Sequence, residues 1–483
     1  MDKRIPLLFA LKNYIDKRRP AFHMPGHHRG KGVHKYLKEL WGENIFLFDI
    51  TEVEGMDYLH KPEGVIKEAQ ELAAKAFGAK KTFFLINGST VGNLVMLVST
   101  LNPKDEIILQ RNSHRSIIGG LALFDLIPVY IQSEIHKETG IPWGIKPEKY
   151  EDAIKKSNAK VSFITSPNYF GMCENIEEIL KIGKKYDHIM LLDEAHGVHF
   201  PFNSKLPVSG IKLGYDIIVQ SAHKTLPSLT QTSFLHINSD KVDLDRVFDA
   251  LTFLESSSPS YLFMVSLDTV RFQMETEGEK IWDEILELAE YTRNEINKIE
   301  GLNCFGKEIL KDGIYDLDLT KITVNTKKIG LTGFEVEEIL NKEYNIEIEL
   351  SDSYNILLFL TPGIKREEID ILLDALRDIS IKKKRDPIEN DFVIPEIPEM
   401  KATPKEAFLR EKEIIELKNA KDRISGKVIS AYPPGLPILV PGEKISENIL
   451  NYILDLKSKG ANLQGFIDKD YNFIKVLKWY IIM

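Results

Sequence analysis

Between residues 82 and 237 the sequence repeats one texture: a short unbroken apolar run, then a stretch with helical spacing. The runs lie at 82–86, 106–109, 126–131, 161–165, 189–192, 217–219 and 233–237. Runs of this length suit strands buried on both faces. Helical stretches between them suit right-handed crossovers, so the pattern predicts an α/β fold around a mostly parallel sheet. Several runs end in polar clusters: Asn87-Gly88-Ser89-Thr90, Ser166-Pro167-Asn168, Asp193-Glu194-Ala195-His196 and Gln220-Ser221-Ala222-His223-Lys224. In an open α/β sheet ligands bind beyond the carboxyl ends of the strands, so these clusters are expected to converge.

Before this region, an amphipathic stretch at 7–15 precedes the Gly- and His-rich segment His23 to Gly30, and helical spacing runs over 63–77 with Ile66, Ala69, Leu72, Ala73 and Ala76 on one face. After it, a long helix is expected near 277–299. A smaller α+β region follows, with strands at 316–324 and 355–360 and a helix after Thr332. A linker with Pro387, Pro395, Pro398 and Pro404 reads as a domain boundary, and a helix over 404–418 is expected to open a C-terminal α+β domain. The expected organisation is an N-terminal segment (1–60), a large domain (61–280), a small α+β domain (281–385) and a linker with the C-terminal domain (386–483). At about 150 residues per domain, 483 residues agree with roughly three domains.

Composition excludes several classes. Lysine and arginine number 63 against 72 acidic residues, a net charge of −9, which argues against a chain-wide basic field for nucleic acid. The 2 cysteines, Cys173 and Cys304, cannot build a disulfide framework or a Cys-rich zinc site. No run of about 18 apolar residues is present, and the charged stretch 12–19 after a short apolar segment does not fit a signal peptide, so a cytoplasmic location is expected. All 12 histidines lie between His23 and His236, which places any imidazole chemistry in the first half.

Lys224 follows a buried strand inside a polar cluster, where a lysine can form a Schiff base with an aldehyde cofactor. Alone it is more often a solvated surface residue. Asp193 ends another strand. A buried carboxylate needs a cation or good hydrogen bonds, and the protonated ring nitrogen of pyridoxal 5′-phosphate is such a cation; helix capping is the plainer reading. Gly88-Ser89-Thr90 joins a strand to a helix, a place where free N–H groups and hydroxyls bind phosphate, or where a serine simply caps. His114, in Asn112-Ser113-His114-Arg115, can stack on a cofactor ring, although a lone histidine is more often structural.

Phosphate turn, stacking ring, aspartate and lysine in that order resemble fold-type I pyridoxal-phosphate enzymes. The finer pattern resembles the bacterial ornithine/lysine/arginine decarboxylases. It is carried by Phe22-His23-Met24-Pro25-Gly26-His27, Asp49-Ile50-Thr51-Glu52, Gly55-Met56-Asp57-Tyr58-Leu59, Phe77-Gly78-Ala79, the 82–90 segment and Arg111-Asn112-Ser113-His114. It continues through Thr165-Ser166-Pro167-Asn168-Tyr169, Asp193-Glu194-Ala195-His196-Gly197, Ser221-Ala222-His223-Lys224-Thr225, Tyr432-Pro433-Pro434-Gly435-Leu436-Pro437 and Pro441-Gly442-Glu443. With Pro25-Gly26-His27 so near the start, the receiver-like wing of the long members has no place here, and a short form is expected. Asn168 stands where threonine is usual, and Cys173-Glu174 departs from the usual continuation.

The resemblance implies an aspartate aminotransferase-like large domain and a set of roles. Lys224 holds the cofactor, Asp193 pairs with its ring nitrogen, and Gly88, Ser89, Thr90, Ser221 and His223 serve the phosphate. His114 stacks on the ring, while Ala195 and His196 lie against the cofactor or substrate. Lys224 or His223 returns the proton after CO2 leaves. It also implies a homodimer or dimer-based oligomer and a basic amino acid substrate: arginine first, lysine second, ornithine third. For the substrate's distal cation, Glu443 is the candidate, with a surface glutamate as the alternative reading. Asp57, in the acidic stretch Asp49, Glu52, Glu54, Asp57, is the second candidate.

Competing classes fare worse. Asp193-Glu194-Ala195-His196 spells a DEAH box, yet no Gly-Lys pair is followed by Ser or Thr as a nucleotide-dependent helicase requires. His23/His27 and His196/His199 have zinc-like spacing, but Pro25, Gly26 and Gly197 interrupt the helices such pairs need, so no metal is expected. A non-enzymatic scaffold explains none of the polar strand ends.

Overall fold

The apolar runs of the first half form strands within a residue or two of where their pattern places them. The computed structural model describes residues 2–17, 19–389, 396–431 and 436–478; Pro395 and the Tyr432-Pro433-Pro434-Gly435 motif lie outside these. The chain divides into two units, Met1–Thr100 with Leu191–Trp282, and Leu101–Met190 with Asp283–Met483.

In the first unit, strand Lys81–Leu85 pairs with Ser233–Ile237, which pairs with Ile217–Ser221, which pairs in turn with the end of Ile189–Asp193. The last pairing is parallel and the first two are antiparallel. The expectation of parallel order thus fails at Ser233–Ile237. The connection from Ser221 to Ser233 is too short for a crossover, which takes about a dozen residues or more, so the chain returns antiparallel. Ile217–Ser221 and Ser233–Ile237 are buried at every position. Helix Val65–Phe77 turns Ile66, Ala69, Ala73 and Phe77 inward and ends at Gly78 in the left-handed conformation. Helix Gly88–Thr100 lies close on the strands: a Cβ at Gly92 would sit 2.5 Å from Val219 Cγ2 and 2.8 Å from Leu85 Cδ1.

In the second unit, Glu106–Gln110 pairs in parallel with both Ile127–Ile131 and Val161–Thr165. A smaller antiparallel sheet runs in the order Asn303–Cys304, Lys321–Asn325, Asn355–Phe359, Leu350–Ser351. The single strand expected over 316–324 is two, Asp316–Leu317 and Lys321–Asn325, and Leu317 pairs with Met172 instead. Asp318 makes the break by binding the amide and hydroxyl of Thr320 at 3.0 and 2.7 Å. The helix after Thr332 spans Gly333–Tyr344, with Thr332 and Glu335 forming a capping box.

Two helical expectations change. The long helix is Tyr261–Ile296, beginning well before residue 277, because its first turns are apolar on more than one face and hide their period. The helix expected over 404–418 is only Pro404–Leu409; Lys412–Glu416 is a strand paired with Phe473–Leu477. Ile414 and Ile415 side by side allowed a helical reading, but the partner strand decides the conformation. The C-terminal region closes over a core that includes Leu417, Ile429, Leu439, Ile449, Ile453 and Val476. Among the described residues no helix is long and apolar enough to cross a membrane.

Candidate active site

The first unit gathers most of the polar strand ends. Strand Ile217–Ser221 runs into a single helical turn, Ala222–Thr225, which presents His223 and Lys224. Lys224 Nζ lies 2.9 Å from His196 Nε2, so the ammonium donates and the imidazole accepts. Ser221 Oγ donates to Ser89 Oγ at 2.9 Å, joining the end of this strand to the start of helix Gly88–Thr100. Gly88 makes that start possible: its φ of +75° turns the chain, and its N–H reaches the Gln231 carbonyl at 2.8 Å. Ser89 is half-buried and Thr90 exposed, both in the helix's first turn. Hydroxyls at the start of a long helix suit an anion.

Asp193 closes the strand Ile189–Asp193 and is 3% exposed. Its Oδ2 accepts from Asn93 Nδ2 at 3.0 Å and its Oδ1 from the Ala195 amide at 3.1 Å. These partners are neutral, and Ala195 and His196 beside it are buried. A buried carboxylate held by neutral donors is matched best by an incoming cation. His223 is held by its Nδ1 donating to the Thr232 carbonyl at 3.0 Å. Burial pushes its pKa below the usual value, with the Lys224 charge adding to this and the Thr232 bond opposing it. The imidazole is therefore neutral near pH 7, with Nε2 able to accept a proton.

Behind Asp193, a run of side chains was not foreseen. Glu194, fully buried, accepts from Ser209 Oγ at 2.6 Å, the Gly210 amide at 2.9 Å and Gln220 Nε2 at 2.6 Å. Gln220 Oε1 then accepts from His236 Nε2 at 3.1 Å, and His236 Nδ1 accepts from the Thr82 hydroxyl at 2.8 Å. Burial lowers the His236 pKa to about 3, so the ring stays neutral, and raises that of Glu194 to about 7. The network ties four strand ends together beneath Asp193. Its sequence signal is a lone polar residue in an apolar run, as with Gln220 in Ile217–Ser221 and Asn93 in Gly88–Thr100.

Three further expected residues have bonds of their own. His114 belongs to the second unit, where it caps helix Arg115–Phe124 by accepting from the Ser116 amide at 3.2 Å. Glu443, offered as a substrate carboxylate with a surface glutamate as the alternative, is not at the surface: it is fully buried and bidentate to Arg111, at 2.6 and 2.8 Å, with a further bond from the Val440 amide at 2.8 Å. Asp57 also has its oxygens engaged. They accept from the amides of Tyr58, Glu63, Gly64 and Ile66 at 2.8–3.0 Å, which fixes the start of helix Val65–Phe77. In each case groups within the chain engage the carboxylate oxygens: a guanidinium for Glu443 and backbone amides for Asp57.

The remaining histidine pairs are also placed. His199 packs against Trp282 with ring centroids 4.4 Å apart, and His27 lies 3.2 Å from Asp49. Among the described residues no group of three or more His, Cys, Asp or Glu side chains is arranged to hold a metal.

Residues 5–368 match the model of the Orn/Lys/Arg decarboxylase major domain, and residues 389–470 match that family's C-terminal domain. The chain is 39% identical over 478 residues to an arginine decarboxylase of Bacillus subtilis, covering 98% of each protein. It is 39% identical over 480 residues to an arginine decarboxylase of Bacillus anthracis, covering 98% of this chain and 97% of that one. Among solved structures it resembles the constitutive lysine decarboxylase of Escherichia coli, with a TM-score of 0.84 at 22% identity over 98% of this chain and 82% of that one.

Proposed function

Since the chain belongs to the Orn/Lys/Arg decarboxylase family, whose members are pyridoxal-phosphate-dependent carboxy-lyases of fold type I, we propose that it converts L-arginine to agmatine and CO2. The observation that carries the reading within the structure is Asp193: a buried carboxylate held only part-way by neutral N–H groups, in the same unit as Lys224 and the Ser89–Ser221 pair. These residues fit pyridoxal 5′-phosphate. Lys224 would hold its aldehyde carbon, Asp193 its ring nitrogen, and Gly88, Ser89, Thr90, Ser221 and His223 its phosphate. His114 is proposed for the ring face on the resemblance.

When bound, the cofactor supplies an electron sink for the α-carbon as CO2 departs. The chain's residues do the rest. Asp193 stabilises positive charge opposite its carboxylate. His196 accepts a hydrogen bond from Lys224 Nζ and fixes where that amine points. Lys224 or His223 would deliver the proton, the latter from an imidazole whose pKa burial lowers. Glu443 and Asp57 have no part in this reading, since Arg111 and the backbone of 58–66 engage them.

Arginine is preferred because full-length relatives at 39% identity are arginine decarboxylases, while the lysine decarboxylase structure stands at 22%. Lysine and ornithine are the second and third readings. A homodimer in the cytoplasm is the proposed working form. Purified protein should show a visible cofactor band and release CO2 with agmatine from arginine. Cadaverine or putrescine as the dominant product moves the substrate to lysine or ornithine. Protein that stays colourless with added pyridoxal phosphate overturns the reading.

A further inference from the structure

We propose that Glu255 is a positioning residue for the phosphate turn Gly88-Ser89-Thr90, acting through the Ile86 backbone amide just before it. This rests on the function proposed above.

Strand Lys81–Leu85 is paired on one side by Ser233–Ile237. On its other side, two buried side chains take the outward amides. Phe84 N donates to Gln70 Oε1 at 3.0 Å, and Ile86 N donates to Glu255 Oε1 at 3.0 Å. Two residues on, the Gly88 amide is taken by the Gln231 carbonyl at 2.8 Å. The amides of Ile86 and Gly88, on either side of Asn87 and leading into the turn, are therefore fixed, the first of them by the Glu255 carboxyl group. Anion binding by backbone N–H groups depends on where those groups point, and a tolerance of about 0.5 Å is typical of such sites.

Glu255 is built for this task rather than left over at a helix end. It follows helix Leu244–Leu254, which packs on helix Gly88–Thr100, and it is 7% exposed. A void of about 10 Å³ adjoins the carboxyl among Leu59, Phe83, Phe248 and Leu251. Around this void Gln70 comes from helix Val65–Phe77, and His60 from the preceding loop is the titratable neighbour, its Nε2 bonded to the Ser256 carbonyl at 2.8 Å. Oε2 of Glu255 is buried without a hydrogen-bond partner among the described residues. With no cation facing it, burial raises the Glu255 pKa to about 7, partly offset by the amides of Ile86 and Asn87. The group is thus a neutral acceptor in mildly acidic conditions and gains a negative charge behind an anion site as pH rises through 7.

The test compares binding of pyridoxal phosphate and of pyridoxal to the cofactor-free full chain by visible absorption, since only the first carries a phosphate. Glu255→Leu removes the acceptor and should weaken pyridoxal phosphate by about tenfold while leaving pyridoxal within about threefold. At pH 6, where the wild-type carboxyl is neutral, Glu255→Gln keeps a carbonyl acceptor and should restore the wild-type ratio. Gln70→Leu, which frees the Phe84 amide on the same strand edge, controls for lost stability and should leave the ratio unchanged. If Glu255→Leu does not fold, the pH profile decides. The wild-type ratio should fall between pH 6 and 8, and that of Glu255→Gln should not, with His60 common to both. An unchanged ratio in Glu255→Leu, an equal loss in Gln70→Leu, or identical pH profiles would overturn the proposal. A wild-type chain that takes up no pyridoxal phosphate instead removes the functional reading, and this inference falls with it.

Discussion

Glu443 in the second unit and Glu194 in the first are both fully buried, and the chain treats them in opposite ways. Glu443 is given a cation. Arg111 bonds both its oxygens, donates also to the Ile438 carbonyl at 3.0 Å, and lies 5.0 Å from the Tyr130 ring. Glu194 is given neutral donors only: a hydroxyl, an amide and a carboxamide. Glu255 and Asp193 follow the Glu194 pattern. Among the described residues, Asp193, Glu194 and Glu255 of the first unit thus have neutral donors as their hydrogen-bond partners. On the function proposed above, a region that receives a cationic ring nitrogen would gain by leaving its carboxylates unneutralised, whereas an ion pair such as Arg111–Glu443 serves as a fixed tie.

The largest effect expected on the first region is from Lys224→Ala. CO2 release should drop by several orders of magnitude, because residues acting as one unit lose nearly all their effect together, and the visible band should vanish. Retained turnover would remove Lys224 from the chemistry. In the second region, Arg111→Leu strands a buried carboxylate and should destabilise the fold by about 3–5 kcal/mol in denaturant unfolding. The double variant Arg111→Met with Glu443→Leu should recover most of that. If Glu443→Gln instead raised KM for arginine with stability intact, the carboxylate would return to the substrate site and the comparison would fail.

Buried carboxyls held by neutral donors, Glu174 of the second unit among them, also have a pH signature. Burial raises Glu174 to about 8 and Glu194 to about 7, and Gln110 and Ile145 hold Glu174 with neutral N–H groups. A folded pKa above the unfolded value of about 4.3 means stability is fully present below that value and is lost as pH rises through 7–8. His188 and His236 are lowered by burial to about 4 and 3, so their contribution is full above about pH 6.5 and is lost in acid. The carboxyls are therefore read cleanly between about pH 6.5 and 8, where unfolding free energy should decline. Glu174→Gln should flatten that decline; a profile parallel to the wild type would show that Glu174 is not the group titrating.

How much of this was legible in the sequence depends on what kind of information each feature carries. Strands such as Val161–Thr165 were legible because burial on both faces demands unbroken apolar residues. The reversed direction of Ser233–Ile237 was not, since residue pattern is blind to strand direction. The strand Lys412–Glu416 was missed because its conformation comes from a partner some sixty residues on, Phe473–Leu477. In the site, Asp193, Ser89, Ser221 and Lys224 stand out as polar residues just past apolar runs. Asn93, Gln220 and Glu255 do not: their roles come from packing, and single polar residues inside helices and strands are common. The burial of Glu443 is not legible because Pro441-Gly442-Glu443 has the composition of an exposed turn, while Arg111 is far away in sequence.

The smallest effect expected concerns Asp57, the other carboxylate first assigned to substrate. It is half-buried and sits at φ +72°, a backbone region that aspartate and asparagine tolerate better than most residues. Its oxygens satisfy amides at the start of helix Val65–Phe77, which has no side-chain bond from its own capping position, Gly64. Asp57→Ala should therefore lower stability by about 1–2 kcal/mol, combining a lost helix cap with a strained backbone. Asp57→Asn keeps one acceptor oxygen and the tolerance for positive φ, so it should lose well under half of that. KM for arginine should stay the same in both. This ordering separates a capping role from a charge role, because a residue that met the substrate's guanidinium would be damaged by Asn as severely as by Ala. If Asp57→Asn proves stable yet raises KM, the first unit does use a carboxylate against the substrate cation, and Asp57 rather than Glu443 supplies it.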